Sequence, residues 1–348
     1  MNPRYGTLED CRRFVAAAHD RGIKVITELA ISHTSDQRER SVLDVMRFWL
    51  DLGVDGLRLD AIPHPETHSF IERLRAAIDE AYQDRILIAE ANQPLDVIRS
   101  HFGPADECQM AFHFPLVHQL FLALARQDAR PIVEVVTATA NLPAGTQWAT
   151  FLRNHDELSF SGVEDPELEE LLVEYGPEPG MRLFSGVRRR LSPLLGRNRA
   201  RVELAFAVLF SLPGSPVIYY GDEIGMGDDI KLPDRDGLRL PMRWQDVAQQ
   251  ELRPVLDIAD RGDGAESLLA VVQRMIATRR AHPAFGRGSV TFLESGNPRI
   301  LALTRRHKNE EILVLANLGA TMQPVEIEAL DVALELEAFE WTWLFREI

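Results

Sequence analysis

Cysteine is scarce in this chain of 348 residues, with only Cys11 and Cys108 present. Two thiols fit a reducing compartment better than a disulfide framework; Cys11, on the apolar face of an expected helix, reads as a packing residue. Long apolar runs are lacking too. AFAVLF (205–210) stops at Ser211, far short of the ~18 residues of a membrane-spanning helix. The N-terminal MNPRYGTLEDC has no basic stretch leading into an apolar one, so no secretory leader is expected and the predicted location is cytoplasmic. Positive charge is in deficit: 38 Lys and Arg face 53 Asp and Glu, for a formal net charge of −15. That balance repels nucleic acid and anionic membranes and leaves neutral small molecules open as partners. No G-x-G-x-x-G follows an apolar run, which weighs against a doubly wound nucleotide-binding sheet.

What is present is a repeat. Thr7 and Asp10 form a T-x-x-D cap, and Leu8, Cys11, Val15 and Ala18 keep helical spacing up to Gly22. IKVITELAI (23–31) follows as a strand, then a helix over about 42–52 with Val42, Val45, Met46 and Trp49 on one side. VDGLRLDAIP (54–63), a helix over about 66–82, RILIAEAN (85–92) and ECQMAFHF (107–114) continue the pattern, and LPGSPVIYYGDEIG (212–225) adds a strand running to Asp222 and Glu223. Glu28 and Asp60 are 32 residues apart, Asp60 and Glu90 are 30 apart, and 66 residues separate Glu90 from Asp156. Each interval suits one or two strand–helix units. The predicted fold is α/β, a (β/α) TIM-type barrel over residues 1–285 with polar residues at its strand ends. From 286 to 348, strand-like runs broken by Gly296-Asn297 and Lys308-Asn309 predict a small antiparallel β domain.

The chemistry lies in the strand-end carboxylates. Alternation puts Arg58 and Asp60 on one face of their strand and Leu57 and Leu59 on the other. A neighbouring guanidinium favours the ionised form of Asp60, as a nucleophile requires. Glu90 ends an apolar strand with few cations near it in sequence, which suits a carboxyl of raised pKa acting as proton donor. Asp156, in FLRNHDE, is a third carboxylate, and three of them suit an oxocarbenium-like transition state. Taken singly, each feature has a plainer reading: R-x-D as a structural ion pair, NHD as a turn or cap. His113 reads as a core histidine, DPELEEL (165–171) as a solvated helix face, and DIADRGDGAE (257–266), without calcium-loop spacing, as a loop.

In order, ELAISHTS (28–35), GLRLDAIP (56–63), IAEAN (88–92) and FLRNHDE (151–157) resemble the four signature regions of the α-amylase superfamily. YGTLEDCRRF, ECQMAFHFPL, LFSLPGSPVIYYGDEIGMGDDI, PMRW and RRAHPAFGRG resemble its trehalose synthase branch. The resemblance implies a retaining enzyme that interconverts maltose and trehalose through a glucosyl-Asp60 intermediate, with hydrolysis as a side reaction. Asp60 would be the nucleophile, Glu90 the acid/base, and Asp156 the residue that holds sugar hydroxyls. Arg58, His33, His155 and Arg153 would bind substrate. An α-glucosidase-like hydrolase and a sugar-binding pseudoenzyme stand as alternatives. No cofactor or metal is required, and Ser32 in place of a calcium-binding Asn argues against calcium. Maltose, trehalose and glucose are the expected partners.

The chain also departs from that pattern. NPRYG resembles the loop after the second barrel strand, so the first two βα units are expected to be missing. Only Arg38, Glu39 and Arg40 stand where the family inserts a lid domain. An incomplete barrel with open edges is therefore expected, with homo-oligomerisation through those edges.

Overall fold

The computed structural model describes residues 3–31, 36–60, 68–251 and 266–347. The chain divides into two compact units, residues 1–114 with 141–149, and residues 115–140 with 150–348.

In the first unit the expected cap is formed. Thr7 Oγ1 accepts from the Asp10 N–H at 3.2 Å and the Asp10 carboxylate accepts from the Thr7 N–H at 2.8 Å, starting helix α1 (Leu8–His19). Then follow β1 (Ile26–Ala30), α2 (Asp36–Asp51), β2 (Gly56–Asp60), α3 (His68–Ala81), β3 (Ile86–Ala89), α4 (Leu95–Ser100) and β4 (Met110–Phe112). Because a helix separates each strand from the next, the strands pair in parallel, with Glu28 opposite Arg58 and Arg58 opposite Ile88. Gly56 permits the close approach of β2 to β3: a Cβ there would lie 2.7 Å from the Ile86 carbonyl oxygen. Leu57 and Leu59 are fully buried and pack with Ile71, Leu74, Leu87, Ala89 and Trp148. Burial of each leucine contributes on the order of 2 kcal/mol. The alternation thus holds, with Arg58 and Asp60 on the opposite face.

Two expectations shift. Helix α2 begins at Asp36 rather than near 42, so Arg38–Arg40 lie inside a continuous helix. Its buried stripe is centred on Met46 and Leu50, and Val45, one position off that stripe, is exposed.

Strand β5 (Gln147–Phe151) gives its last two residues to the second unit, which also holds a short strand at Ser215–Val217. Helices α5 (Phe114–Arg126) and α6 (Arg130–Ala138) precede β5 in the chain. After it come β6 (Leu158–Ser159), α7 (Asp165–Tyr175), β7 (Arg182–Leu183), β8 (Gly186–Val187), α8 (Leu191–Leu194) and α9 (Arg199–Ser211). Helix α7 is solvated on its acidic face, as expected, and buries Leu171 and Tyr175. The strand after α9, β9, ends at Val217, and Asp222–Ile224 is instead a 3-10 turn. Asp222 is there a buried ion-pair partner of Arg190 at 3.2 Å, not an open strand-end carboxylate.

Helices α10 (Trp244–Glu251), α11 (Leu268–Ala281) and α12 (Pro283–Arg287) lead to the antiparallel C-terminal sheet. It orders β10 (Ser289–Phe292), β11 (Ile300–His307), β12 (Glu310–Asn317) and β15 (Trp341–Glu347), while β13 (Gln323–Ile327) pairs with β14 (Val332–Leu336). Lys308 and Asn309 make the two-residue turn between β11 and β12. Ala302, Leu315, Val325, Ile327 and Leu336 form the apolar cluster of this domain. The buried Arg305 donates to the Ser211 carbonyl at 2.7 Å and Trp343 Nε1 to Ser211 Oγ at 2.8 Å, tying the sheet to the end of α9. Among the described residues no helix is long and apolar enough to cross a membrane.

Candidate active site

In the first unit, three neighbouring parallel strands bring acidic side chains around one guanidinium. Arg58, on β2, donates from Nη1 to the Glu28 carboxylate of β1 and from Nη2 to the carboxylate of Glu90, which follows β3. Its Nη1 also lies 3.4 Å from Asp60 Oδ1. Arg58 and Glu90 side chains are each 14% exposed, whereas Asp60 is 38% exposed and Glu28 is 54% exposed. The burial gradient matters. Burial pushes the Glu90 carboxyl up from 4.5 to about 7; its hydrogen bond to Arg58 opposes the rise, and hydrogen bonding with Asp60 adds to it. Local sequence suggested that Glu90 lacks cationic neighbours, but Arg58 touches it, and the rise comes from burial in spite of that contact. The arrangement holds one carboxyl poised to give up a proton near neutrality beside a second that is open to solvent.

In the second unit, the loop after β5 carries Arg153, His155 and Asp156. Arg153 is buried, donating from Nε to the Arg189 carbonyl and from Nη2 to the Asp156 carbonyl, both at 2.8 Å. Burial brings its pKa down to about 10. Its described contacts run to the backbone of its own loop and of Arg189. The Asp156 N–H donates to Asn154 Oδ1 at 3.1 Å, turning the chain so that the carboxylate stands out at 30% exposed. Arg239 donates to Asp156 Oδ1 at 2.6 Å, and Arg235 Nε lies 3.2 Å from the same oxygen while donating to Glu157 at 2.6 Å. His155 Nε2 is 3.7 Å from Asp156 Oδ2.

Asp60, Glu90 and Arg58 are thus brought together in one unit, and Asp156, His155 and Arg153 in the other. His33 and Ser32 lie outside the described residues, as does most of the DIADRGDGAE segment. Arg235 and Arg239 were not singled out in the sequence. Their only signal was the segment PDRDGLRL between two resembling motifs, 83 residues from Asp156 in the case of Arg239. His113 is a core residue as expected, its ring 4.3 Å from that of Trp148.

Comparison with known proteins adds to this geometry. The α-amylase catalytic domain model matches residues 1–41, 37–165 and 187–288, and the maltogenic amylase C-terminal domain model matches 290–347. The first two matched segments overlap at 37–41, the stretch that contains Arg38–Arg40. Trehalose synthase/amylase TreS of Mycobacterium tuberculosis (strain ATCC 25618 / H37Rv) is 36% identical over 434 aligned residues, covering 94% of this chain and 72% of its own. That alignment is longer than the chain, so segments of the relative are absent here. Trehalose synthase of Thermus thermophilus is 41% identical over 340 residues, covering 88% of this chain and 35% of its own. Among solved structures, α-amylase from H. orenii superposes with a TM-score of 0.77 at 20% identity, over 100% of this chain and 85% of that one. α-Amylase from Geobacillus thermoleovorans, complexed with acarbose, gives 0.71 at 18% identity over 100% and 82%. These likenesses establish a TIM-barrel fold with an antiparallel C-terminal domain. With a catalytic-domain match over most of its length and a C-terminal-domain match over the remainder, this chain belongs to the α-amylase family.

Proposed function

We propose that the chain is a retaining α-glucosyl transferase that interconverts maltose and trehalose, with hydrolysis of both as a side reaction. The observation that carries this reading is the pair at the ends of β2 and β3, a buried Glu90 with its pKa pushed up to about 7 and a solvent-open Asp60, both held against the Arg58 guanidinium. Glu90 protonates the glycosidic oxygen while Asp60 attacks the anomeric carbon, forming glucosyl-Asp60 and releasing glucose. Glu90, now ionised, takes the proton of an incoming hydroxyl. The anomeric hydroxyl of the retained glucose yields trehalose, and water yields free glucose. Two carboxyls that share one guanidinium suit retention, because an inverting pair keeps a water between its two groups. Following the family pattern, Asp156, held by Arg239, is assigned to sugar hydroxyls, and His33 and His155 to substrate binding. The trehalose synthase relatives support the choice of disaccharides. No metal or cofactor takes part in these steps.

With the lid segment shortened, water competes better for the covalent intermediate, and the proposed product mixture leans toward glucose. The test is incubation with maltose, with trehalose and glucose both quantified, beside an Asp60→Asn control. Formation of both sugars, lost by at least about 10³-fold in the control, supports the reading. Equal rates in both proteins overturn it, and glucose without any trehalose leaves only the hydrolase.

A further inference from the structure

We propose that His68, His101 and Glu107 form a binding site for a divalent transition metal of the zinc class. His68 opens α3, His101 follows α4, and Glu107 stands just before β4. One ligand atom from each lies within 4.8 Å of the other two. The loop that carries two of them is closed tightly. The Cys108 N–H donates to the His101 carbonyl at 3.0 Å, and Gly103, at φ 53°, lets the backbone pass so near that a Cβ would sit 2.3 Å from Asp106 Oδ1.

His101 is the residue that points to a ligand. It is 1% exposed, and neither ring nitrogen has a hydrogen-bond partner among the described residues. A buried polar group without a partner is expensive, on the order of 1–3 kcal/mol, and such groups usually mark an ion or a water. The ring of His68 stacks on it at 5.0 Å. His68 Nδ1 meets Glu107 Oε2 at 2.8 Å, and its Nε2 is 3.2 Å from Ser100 Oγ. Glu107 is itself 4% exposed.

Two imidazoles and a carboxylate are the donor set that zinc and its neighbours favour, whereas calcium and magnesium favour oxygens alone. Ligands on zinc at about 2.0–2.2 Å stand roughly 3.4 Å apart in a tetrahedron, so modest side-chain rotations bring these three onto one ion. Glu72 and Asp106 cluster with Glu107 and add negative charge, leaving the fourth position to one of them or to water. Such an ion would cross-link α3 to the segment between α4 and β4.

The test uses the tag-free full chain, stripped with a chelator and titrated with Zn²⁺ or Co²⁺. The expected result is one equivalent bound, the visible absorption of four-coordinate Co²⁺ with nitrogen ligands, and a higher Tm. His101→Phe keeps the ring stack and should weaken binding by about tenfold or more. If that variant does not fold, the half-buried His68→Asn should weaken binding to a similar degree. Wild-type chain that retains no metal, or variants that bind as the wild type does, would overturn the proposal. Binding of Mg²⁺ or Ca²⁺ as tightly as Zn²⁺ would overturn it as well.

Discussion

Arg58 on β2 hydrogen-bonds Glu90 after β3, and the same guanidinium lies 3.4 Å from Asp60 Oδ1. One cation therefore touches both carboxyls assigned to the chemistry. It holds down the pKa of Glu90, which burial alone would drive higher.

Removing that cation should be visible in a pH profile. In Arg58→Met the Glu90 pKa rises, so the alkaline limb of kcat/KM, where the proton donor is lost, moves to higher pH. The rate itself should fall by about 10²-fold or more through loss of the fixed charge. A reduced rate with an unmoved limb would contradict the assignment of Glu90 as the acid.

Glu90 should also make stability depend on pH. Its folded pKa of about 7 lies above the ordinary 4.5, so its contribution is fully present below 4.5 and is lost as pH rises through 7. Glu90→Gln lacks that loss. It is expected to be more stable than the wild type at pH 8 by on the order of 1–3 kcal/mol, with most of the difference gone at pH 5. Asp222, also raised to about 7 by burial, is present in both proteins and cancels in the comparison. Urea unfolding of the two proteins at both pH values measures this.

Asp55 sits at the opposite end of β2 and has the opposite sign. Burial would raise its pKa, but the Val25 N–H at 2.8 Å, His19 at 2.7 Å and Lys24 at 3.0 Å bring it down to about 2. Its contribution is present above 3.8 and is lost as pH falls through 2. Asp55→Asn should cost about 2 kcal/mol at pH 7 and little near pH 2, with activity at neutral pH nearly unchanged while the chain stays folded.

Arg239 is 43% exposed, so its pair with Asp156 contributes little to folding. Arg239→Ala should leave Tm nearly unchanged and lower kcat/KM on maltose by about tenfold, because Asp156 loses its orientation. A parallel drop in Tm would reassign Arg239 to stability.

Lys308 adopts φ 52° in the β11–β12 turn, a conformation that costs a side chain energy and glycine almost none. Lys308→Gly should therefore raise stability by about 0.5 kcal/mol in denaturant unfolding, with no change in activity.

Much of this was legible in the sequence because it is written in local period. Thr7 and Asp10 announce α1, Leu57 and Leu59 alternate with Arg58 and Asp60, the carboxylates recur at strand–helix intervals, and Lys308-Asn309 marks a hairpin. Spacing determines which face a side chain takes, and a run of apolar residues determines that the face opposite will be buried.

Partnership and depth were decided only by tertiary structure. Arg58 reaches Glu90 from 32 residues away and Arg239 reaches Asp156 from 83, and no periodicity links such positions. Asp222 looked like an open strand end, yet it lies buried against Arg190. Arg153 lies buried, donating to the Arg189 carbonyl from 36 residues away. A carboxyl's pKa depends on how much water its neighbours remove and on which charges remain beside it. Both are set by elements that pack from elsewhere in the chain, which is why the sequence could suggest Glu90 as a proton donor of raised pKa but could not show that burial raises it against the opposing contact of Arg58.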